Sequence, residues 1–188
     1  MKLIISENEL FEMLVDEINR TEYLLEIPKI EEYMIRQASK ESNNFILATR
    51  FEPHLMDASL GLYQVLIKTL EWIGYNEGIE KYLCDPKLQV RSAVQYMDFL
   101  YSRFPEIHNE LERIKMAFSS YNSGRGNVNR ALARGMQEEG IKYIGSNTKQ
   151  GKWATYENVN KMFRKYNIIA DRNADINQRY VNYIVEKE

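Results

Sequence analysis

Apolar residues recur at helical spacing along most of the chain, and strict polar–apolar alternation is scarce. Leu10, Leu14 and Ile18 form one stripe behind Ser6 and Glu9, a Ser-x-x-Glu capping box that marks the start of a first helix. Pro28 suits the beginning of a second helix, running to about Ser42, with Ile30, Met34 and Ala38 on its apolar side. A loop is expected from Asn43 to Ser59, with Pro53 inside it. Val65, Leu66, Thr69, Leu70 and Ile73 then predict a third helix that Gly74 and Gly78 bring to an end. Asp85-Pro86 is an N-cap followed by proline at the first helical position, opening a helix with Val90, Val94, Met97 and Tyr101 that stops at Phe104-Pro105. Another helix is expected from about Glu106 to Ser119, then a tight loop from Asn122 to Gly126, then a helix carrying Val128, Ala131 and Leu132. Gly140 to Lys152 shows no period and reads as an irregular connection. Two closing helices carry Tyr156, Val159, Met162 and Phe163, and then Ile176, Tyr180 and Ile184. The predicted fold class is all-α, with about eight helices.

Composition narrows this to an ordinary globular chain. At 188 residues, with 44% hydrophobic and 28% charged residues, one domain with a real core is expected. The single Cys84 excludes an intramolecular disulfide. Neither His54 nor His108 has a cysteine or second histidine at ligand spacing, so no metal site is expected. Met1 to Ser6 is too short for the apolar region of a secretory signal, and no stretch has the length of a membrane span. The expectation is synthesis in the cytoplasm as a soluble chain with no membrane partner.

Charge is unevenly placed. Through Glu112 there are 11 basic and 20 acidic residues, a net of −9, and from Arg113 there are 14 basic and 7 acidic, a net of +7. A basic carboxy-terminal part with Trp153, Tyr156, Phe163 and Tyr166 has the composition of a nucleic-acid binder. Two oppositely charged lobes or a solvated helical face account for it more simply, and no nucleic-acid partner is expected.

Among the acidic residues Glu41 stands apart. It lies eleven residues after Ile30, which at about 100° per residue returns it to nearly the same face. A carboxyl at the end of a core-facing stripe and at the C-terminal pole of a helix is expected to favour its neutral form. That is what a general acid near neutral pH requires. Periodicity alone equally allows Glu41 to mark the helix's exit to solvent.

The company Glu41 keeps is more specific. Glu41-Ser42 ends a helix, Gly61-Leu62-Tyr63-Gln64 comes next, then the Asp85-Pro86 helix start with Gln95-Tyr96-Met97. Ser120-Tyr121-Asn122-Ser123-Gly124 lies beyond these, and Arg179-Tyr180-Val181 stands near the end. In this order the pieces resemble the lytic transglycosylases of the goose-type lysozyme superfamily. There the corresponding elements are a helix-terminal Glu-Ser, a Gly-Leu-Met-Gln turn, an Asp-Pro helix, an Ala-Tyr-Asn-Ala-Gly loop and a Tyr-Val element. Tyr63 replaces the usual Met, and serines replace both alanines of the loop. The segment from Glu41 to Gly61 is longer than in the commonest members. Its Thr49-Arg50-Phe51-Glu52-Pro53 is similar to a segment of a phage- and prophage-associated subset.

The resemblance implies a lysozyme-like fold of two lobes around a substrate cleft, with an N-terminal helix over residues 1–28 and the catalytic core over residues 29–188 of one domain. It implies peptidoglycan glycan strands as substrate and cleavage of the β-1,4 bond between N-acetylmuramic acid and N-acetylglucosamine. Glu41 would be the single acid/base and the products 1,6-anhydromuramyl sugars, with no cofactor. A hydrolytic muramidase of the same fold and a non-catalytic wall-binding or virion module are the alternatives. Tyr121 would orient Glu41, and Asn122 and Ser42 would bind sugar or hold their loops. Gly61 would let the sugar approach the backbone, Gln64 would offer its amide, and Tyr63 would present an aromatic face or pack inward. Glu52 and Asp57 are candidate second carboxylates for activating water. The phage-like segment implies action on the cell wall, delivery in a phage particle, and virion or cell-wall-machine partners. Ser123-Gly124-Arg125-Gly126 lacks the Lys-Ser/Thr of a phosphate-binding loop and is not read as one.

Overall fold

The structure, a computed structural model, describes residues 2–140 and 154–186. The chain divides into two compact units, Met1–Asp98 and Phe99–Glu188.

The first unit opens with α1 (Glu7–Ile18), capped as its sequence predicts. The Glu9 amide donates to Ser6 Oγ at 3.4 Å, and the Ser6 amide donates to Glu9 Oε2 at 3.0 Å. Hydrogen bonds from Lys2 and then Ser6 hold the Glu9 carboxyl down at about 2. Leu10, Leu14 and Ile18 are buried against α2 (Ile30–Ser42). A single 3-10 turn, Leu24–Glu26, joins the two helices. Asp98 Oδ1 accepts from the amides of Tyr23 and Leu24, both at 3.0 Å, and so caps that turn from the far end of the unit's sequence. The second helix begins at Ile30, just after Pro28, because Lys29 is left-handed at φ 62°.

A three-stranded antiparallel sheet comes next, in the order β1 (Thr49–Glu52), β2 (Asp57–Leu60) and β3 (Val65–Leu66). Thr49 pairs with Leu60 and Glu52 with Asp57, while Leu60 also pairs with Val65. This corrects two expectations, the loop from Asn43 to Ser59 and a helix already formed at Val65 and Leu66. The strands have at most four residues, too few to show a period, and β2 buries the polar Asp57 and Ser59. Two short helices, α3 (Ile67–Trp72) and α4 (Ile79–Cys84), lead to α5 (Pro86–Ser102). Asp85 Oδ1 accepts from the amide of Lys87 at 2.9 Å, the predicted cap. The guanidinium of Arg91 on α5 forks onto Glu17 of α1 at 3.1–3.2 Å.

The second unit holds α6 (Glu110–Ser123), α7 (Arg125–Glu138), α8 (Tyr156–Lys165) and α9 (Asp171–Val185). Nine α-helices are thus present among the described residues, α4 being the one beyond expectation. Asn109 caps α6 by accepting from the Glu112 amide at 3.0 Å, so this helix starts later than expected and runs on through Ser123. Only Gly124, at φ 85° and ψ 130°, separates α6 from α7. The expected tight loop from Asn122 to Gly126 is therefore one residue long, since glycine alone turns the chain there without a Cβ penalty. On α9 the buried stripe is Ala174, Asn177, Tyr180, Val181 and Ile184, while Ile176 is exposed. The expected connection from Gly140 to Lys152 and the aromatic Trp153 fall outside the described residues, Gly140 excepted. No described helix is long and apolar enough to cross a membrane.

Candidate active site

Glu41 sits in the last turn of α2. That helix buries Ile30, Met34, Gln37 and Ala38 and carries Glu31 and Glu32 at its positive pole, where acidic groups are favoured. It stops because Asn43 and Asn44 are both left-handed, at φ 55° and 58°, a conformation asparagine tolerates better than most residues. The amino-terminal segment fastens the chain just beyond this stop. The Ile5 amide donates to the Asn44 carbonyl at 3.1 Å and the Ile46 amide to the Leu3 carbonyl at 3.0 Å. Glu41 is half-buried at this fixed helix end, between exposed Lys40 and half-buried Ser42.

Ser42 connects the helix end to the second signature. Its hydroxyl donates to the Leu62 carbonyl at 2.8 Å, with the Ala38 carbonyl one turn back as a second acceptor at 3.2 Å. The hydrogen bond to Leu62 holds the Gly61–Gln64 turn to the end of α2. Ser42→Ala is expected to cost about 0.5–1.5 kcal/mol, the net worth of one hydrogen bond. Chemical denaturation checks this, and an unchanged midpoint would show that the tie carries no stability.

The Gly61–Gln64 turn is built for the protein's own interior. Gly61 has φ 73°, and its amide donates to the Ala48 carbonyl at 2.7 Å. A Cβ there would lie 2.4 Å from Gln89 Oε1, so the missing side chain makes room for Gln89. Tyr63 is fully buried, and that burial pushes its phenol far above the ordinary tyrosine range. Of the two placements expected for this ring, it takes the inward one. Gln64, itself left-handed at φ 49°, spends its amide on the turn. Its Nε2 donates to the carbonyls of Ala48 and Gly61 at 3.1 and 3.0 Å, while Oε1 accepts from Ser59 Oγ at 3.0 Å. Gly61, Tyr63 and Gln64 thus form the frame beneath the end of α2.

The two further carboxylates separate. Asp57 is buried in β2; its Oδ1 accepts from the Ala58 amide at 2.8 Å and its Oδ2 from the Lys68 amide, in the first turn of α3, at 3.3 Å. Both of its oxygens are thereby engaged by backbone amides. Glu52 accepts from Arg50 Nε at 2.6 Å, two positions away on the same face of β1. In the second unit Tyr121 and Asn122 occupy the last turn of α6 and not a loop. Tyr121 is half-buried, whereas Asn122 is exposed and its Oδ1 accepts from Asn177 Nδ2 at 3.1 Å.

Two fully buried amides organise these pieces, and neither is prominent in the sequence. Gln89 of α5 accepts from the Leu62 amide at 2.8 Å and donates to the carbonyls of Ile46, Tyr82 and Leu83 at 3.0–3.2 Å. It therefore ties the segment after α2, the Gly61–Gln64 turn and the end of α4 together. Asn177 of α9 plays the same part in the second unit. It accepts from Ser119 Oγ and Tyr156 Oη, both at 2.9 Å, and donates to the Ser119 carbonyl and to Asn122. The signal for both was a polar residue on an apolar stripe: Gln89 shares a face with Ala93 and Leu100, and Asn177 shares one with Ala174 and Val181. Among the described residues no group of three or more His, Cys, Asp or Glu is placed to hold a metal ion.

A mainly helical chain with a small antiparallel sheet and a helix-terminal Glu-Ser fastened to a glycine turn defines a lysozyme-like domain. The sequence model described as the transglycosylase SLT domain matches residues 17–144, well over half the chain, and the protein belongs to that family. The family degrades peptidoglycan by breaking its glycosidic bonds. No curated protein matches the chain at a significant level.

Proposed function

We propose that this protein is a lytic transglycosylase that cleaves the β-1,4 bond between N-acetylmuramic acid and N-acetylglucosamine, with Glu41 as the acid and then the base. The observation that carries the reading is the tie from Ser42 Oγ to the Leu62 carbonyl, which holds the Glu41 turn on the Gly61–Gln64 frame. Glycosidic cleavage needs a proton on the leaving oxygen while positive charge grows on the sugar. The Glu41 carboxyl supplies that proton, and the substrate's acetamido group stabilises the charge. The Glu41 carboxylate then takes the proton of the muramyl 6-hydroxyl as that oxygen closes on C1, giving a 1,6-anhydro ring and consuming no water. Asp57 caps α3 and is occupied, which favours this single-carboxylate route over hydrolysis. Glu52 is the other candidate second carboxylate for the hydrolytic alternative. The protein acts on the cell wall in this reading, carried there by a phage particle or another delivery route.

Mass spectrometry of muropeptides released from purified sacculi tests it. Anhydromuramyl products are expected. Reducing-end products would establish a muramidase and direct attention to Glu52, and no release from several wall types would favour a non-catalytic wall-binding module.

A further inference from the structure

The second unit contains an open cavity of about 450 Å³ that none of the roles above uses. One wall is a face of α7, where Arg130, Arg134 and Gln137 recur at helical spacing, and the other is the link from α8 to α9, with Tyr166, Asn167 and Ile168. The link is held by its backbone: the Asn167 amide donates to the Arg164 carbonyl at 3.1 Å and the Ile168 amide to the Phe163 carbonyl at 3.0 Å. Asn167 makes the reversal in the left-handed region, at φ 48°.

Among the described residues the charges of this cavity do not cancel. Glu138, the acidic group beside it, is taken: Lys165 Nζ lies 2.6 Å from its carboxylate, and the Tyr166 hydroxyl donates to it. Those two hydrogen bonds, Lys165 first, hold the Glu138 carboxyl below its usual range. Arg130 bonds to the Asn127 side chain, and Arg134 bonds to Gln137 at 3.3 Å and lies over the Tyr166 ring at 5.4 Å. Neither guanidinium is ion-paired with a carboxylate among the described residues. Two uncompensated planar cations, an anchored aromatic ring and the apolar Ile168 therefore face one space. Its volume lies within the range of ligand pockets.

We infer that this cavity binds the carboxylates of the peptide stems on the glycan strand. The inference rests on the reading that peptidoglycan is the substrate. In that polymer the lactyl carboxyl of each muramic acid is consumed in an amide bond, so the free carboxylates lie on the stems. A guanidinium fork matches a planar carboxylate through two parallel hydrogen bonds. The Tyr166 ring and Ile168 give the stem's short alkyl side chains a surface, which a phosphate diester would leave unused. Stem binding would hold the strand at a site other than the bond being cut.

The test uses the full chain and the double variant Arg130→Gln/Arg134→Gln, whose two side chains are exposed and whose removal leaves the core intact. Calorimetric titration with a synthetic acidic stem tetrapeptide is expected to show binding at least tenfold tighter than with the fully amidated tetrapeptide. The double variant is expected to lose at least tenfold. Equal affinity for the two peptides, unchanged affinity in the variant, or tighter binding of inorganic phosphate or a short DNA duplex would overturn the inference. Cleavage rates supply the second arm: the variant should be slower on intact sacculi and unchanged on glycan strands stripped of their stems. Tetrapeptide binding without any cleavage would defeat the lytic reading and leave the cavity standing. Cleavage without tetrapeptide binding would do the reverse.

Discussion

Glu41→Gln is expected to slow muropeptide release by about 10²–10⁴-fold, the usual contribution of a positioned general acid or base. The change keeps the side chain's length and planar shape and removes only its ability to give and take a proton. Glu41 lies half-buried on the final turn of α2, beyond the buried stripe of Ile30, Met34 and Ala38. Stability should therefore move by no more than about 0.5 kcal/mol, as for other substitutions outside the core. A thermal melt beside the rate assay separates the two effects. A variant that melts normally and keeps a third or more of the wild-type rate would remove Glu41 from the chemistry. Glu41→Asp is the companion: it keeps the acid but withdraws it by one methylene, so its rate should fall between those of wild type and Glu41→Gln.

The longer helices were legible because each repeats its apolar positions over about three turns or more, whereas α4, with six residues, was not. The Ser6–Glu9 box and the Asp85-Pro86 start were legible because their chemistry is local. The sheet was not, since a four-residue strand offers two positions per face, and β2 places Asp57 and Ser59 on the buried ones. The same inversion shapes the Gly61–Gln64 turn. The resemblance implies ligand contacts at Gly61, Tyr63 and Gln64, and the turn also serves the interior of the protein. Leu62 and Gln64 of that turn find partners on Ala48, Ser59 and Gln89, and no local pattern announces a hydrogen bond across 27 positions. Asn122 was expected in a loop because Gly124 and Gly126 stand just after it. Gly126 is instead helical, and the Ser123 hydroxyl bonds back to the Ser119 carbonyl at 2.8 Å inside the last turn of α6. Position along a helix could be read from the sequence, and long-range polar closure could not.

Gln89→Ala is expected to be the most destabilising single change in the first unit, at about 3–5 kcal/mol. It strands the Leu62 amide and takes a donor from the carbonyls of Ile46, Tyr82 and Leu83, of which Tyr82 keeps the Asp85 amide at 3.3 Å; a buried polar group left without its partner costs about 1–3 kcal/mol. Relaxation and entering water recover part of that sum. Against a typical total of about 5–15 kcal/mol, the loss should appear as a large drop in the urea midpoint. A fall of less than about 1 kcal/mol, within the reach of one ordinary hydrogen bond, would show that Gln89 does not hold these segments together. Gly61→Ala attacks the same closure from the other side, since its new Cβ would meet Gln89 Oε1 at 2.4 Å and must also adopt φ 73°. Combining the two changes separates these causes. In the Gln89→Ala background the added methyl enters vacated space, so only the left-handed strain of about 1–2 kcal/mol should remain. The double variant should then be more stable than the sum of the single losses predicts, the non-additivity expected of residues in direct contact. Strict additivity would mean that Gly61 is required for its backbone conformation alone, and that the space it leaves for Gln89 is incidental.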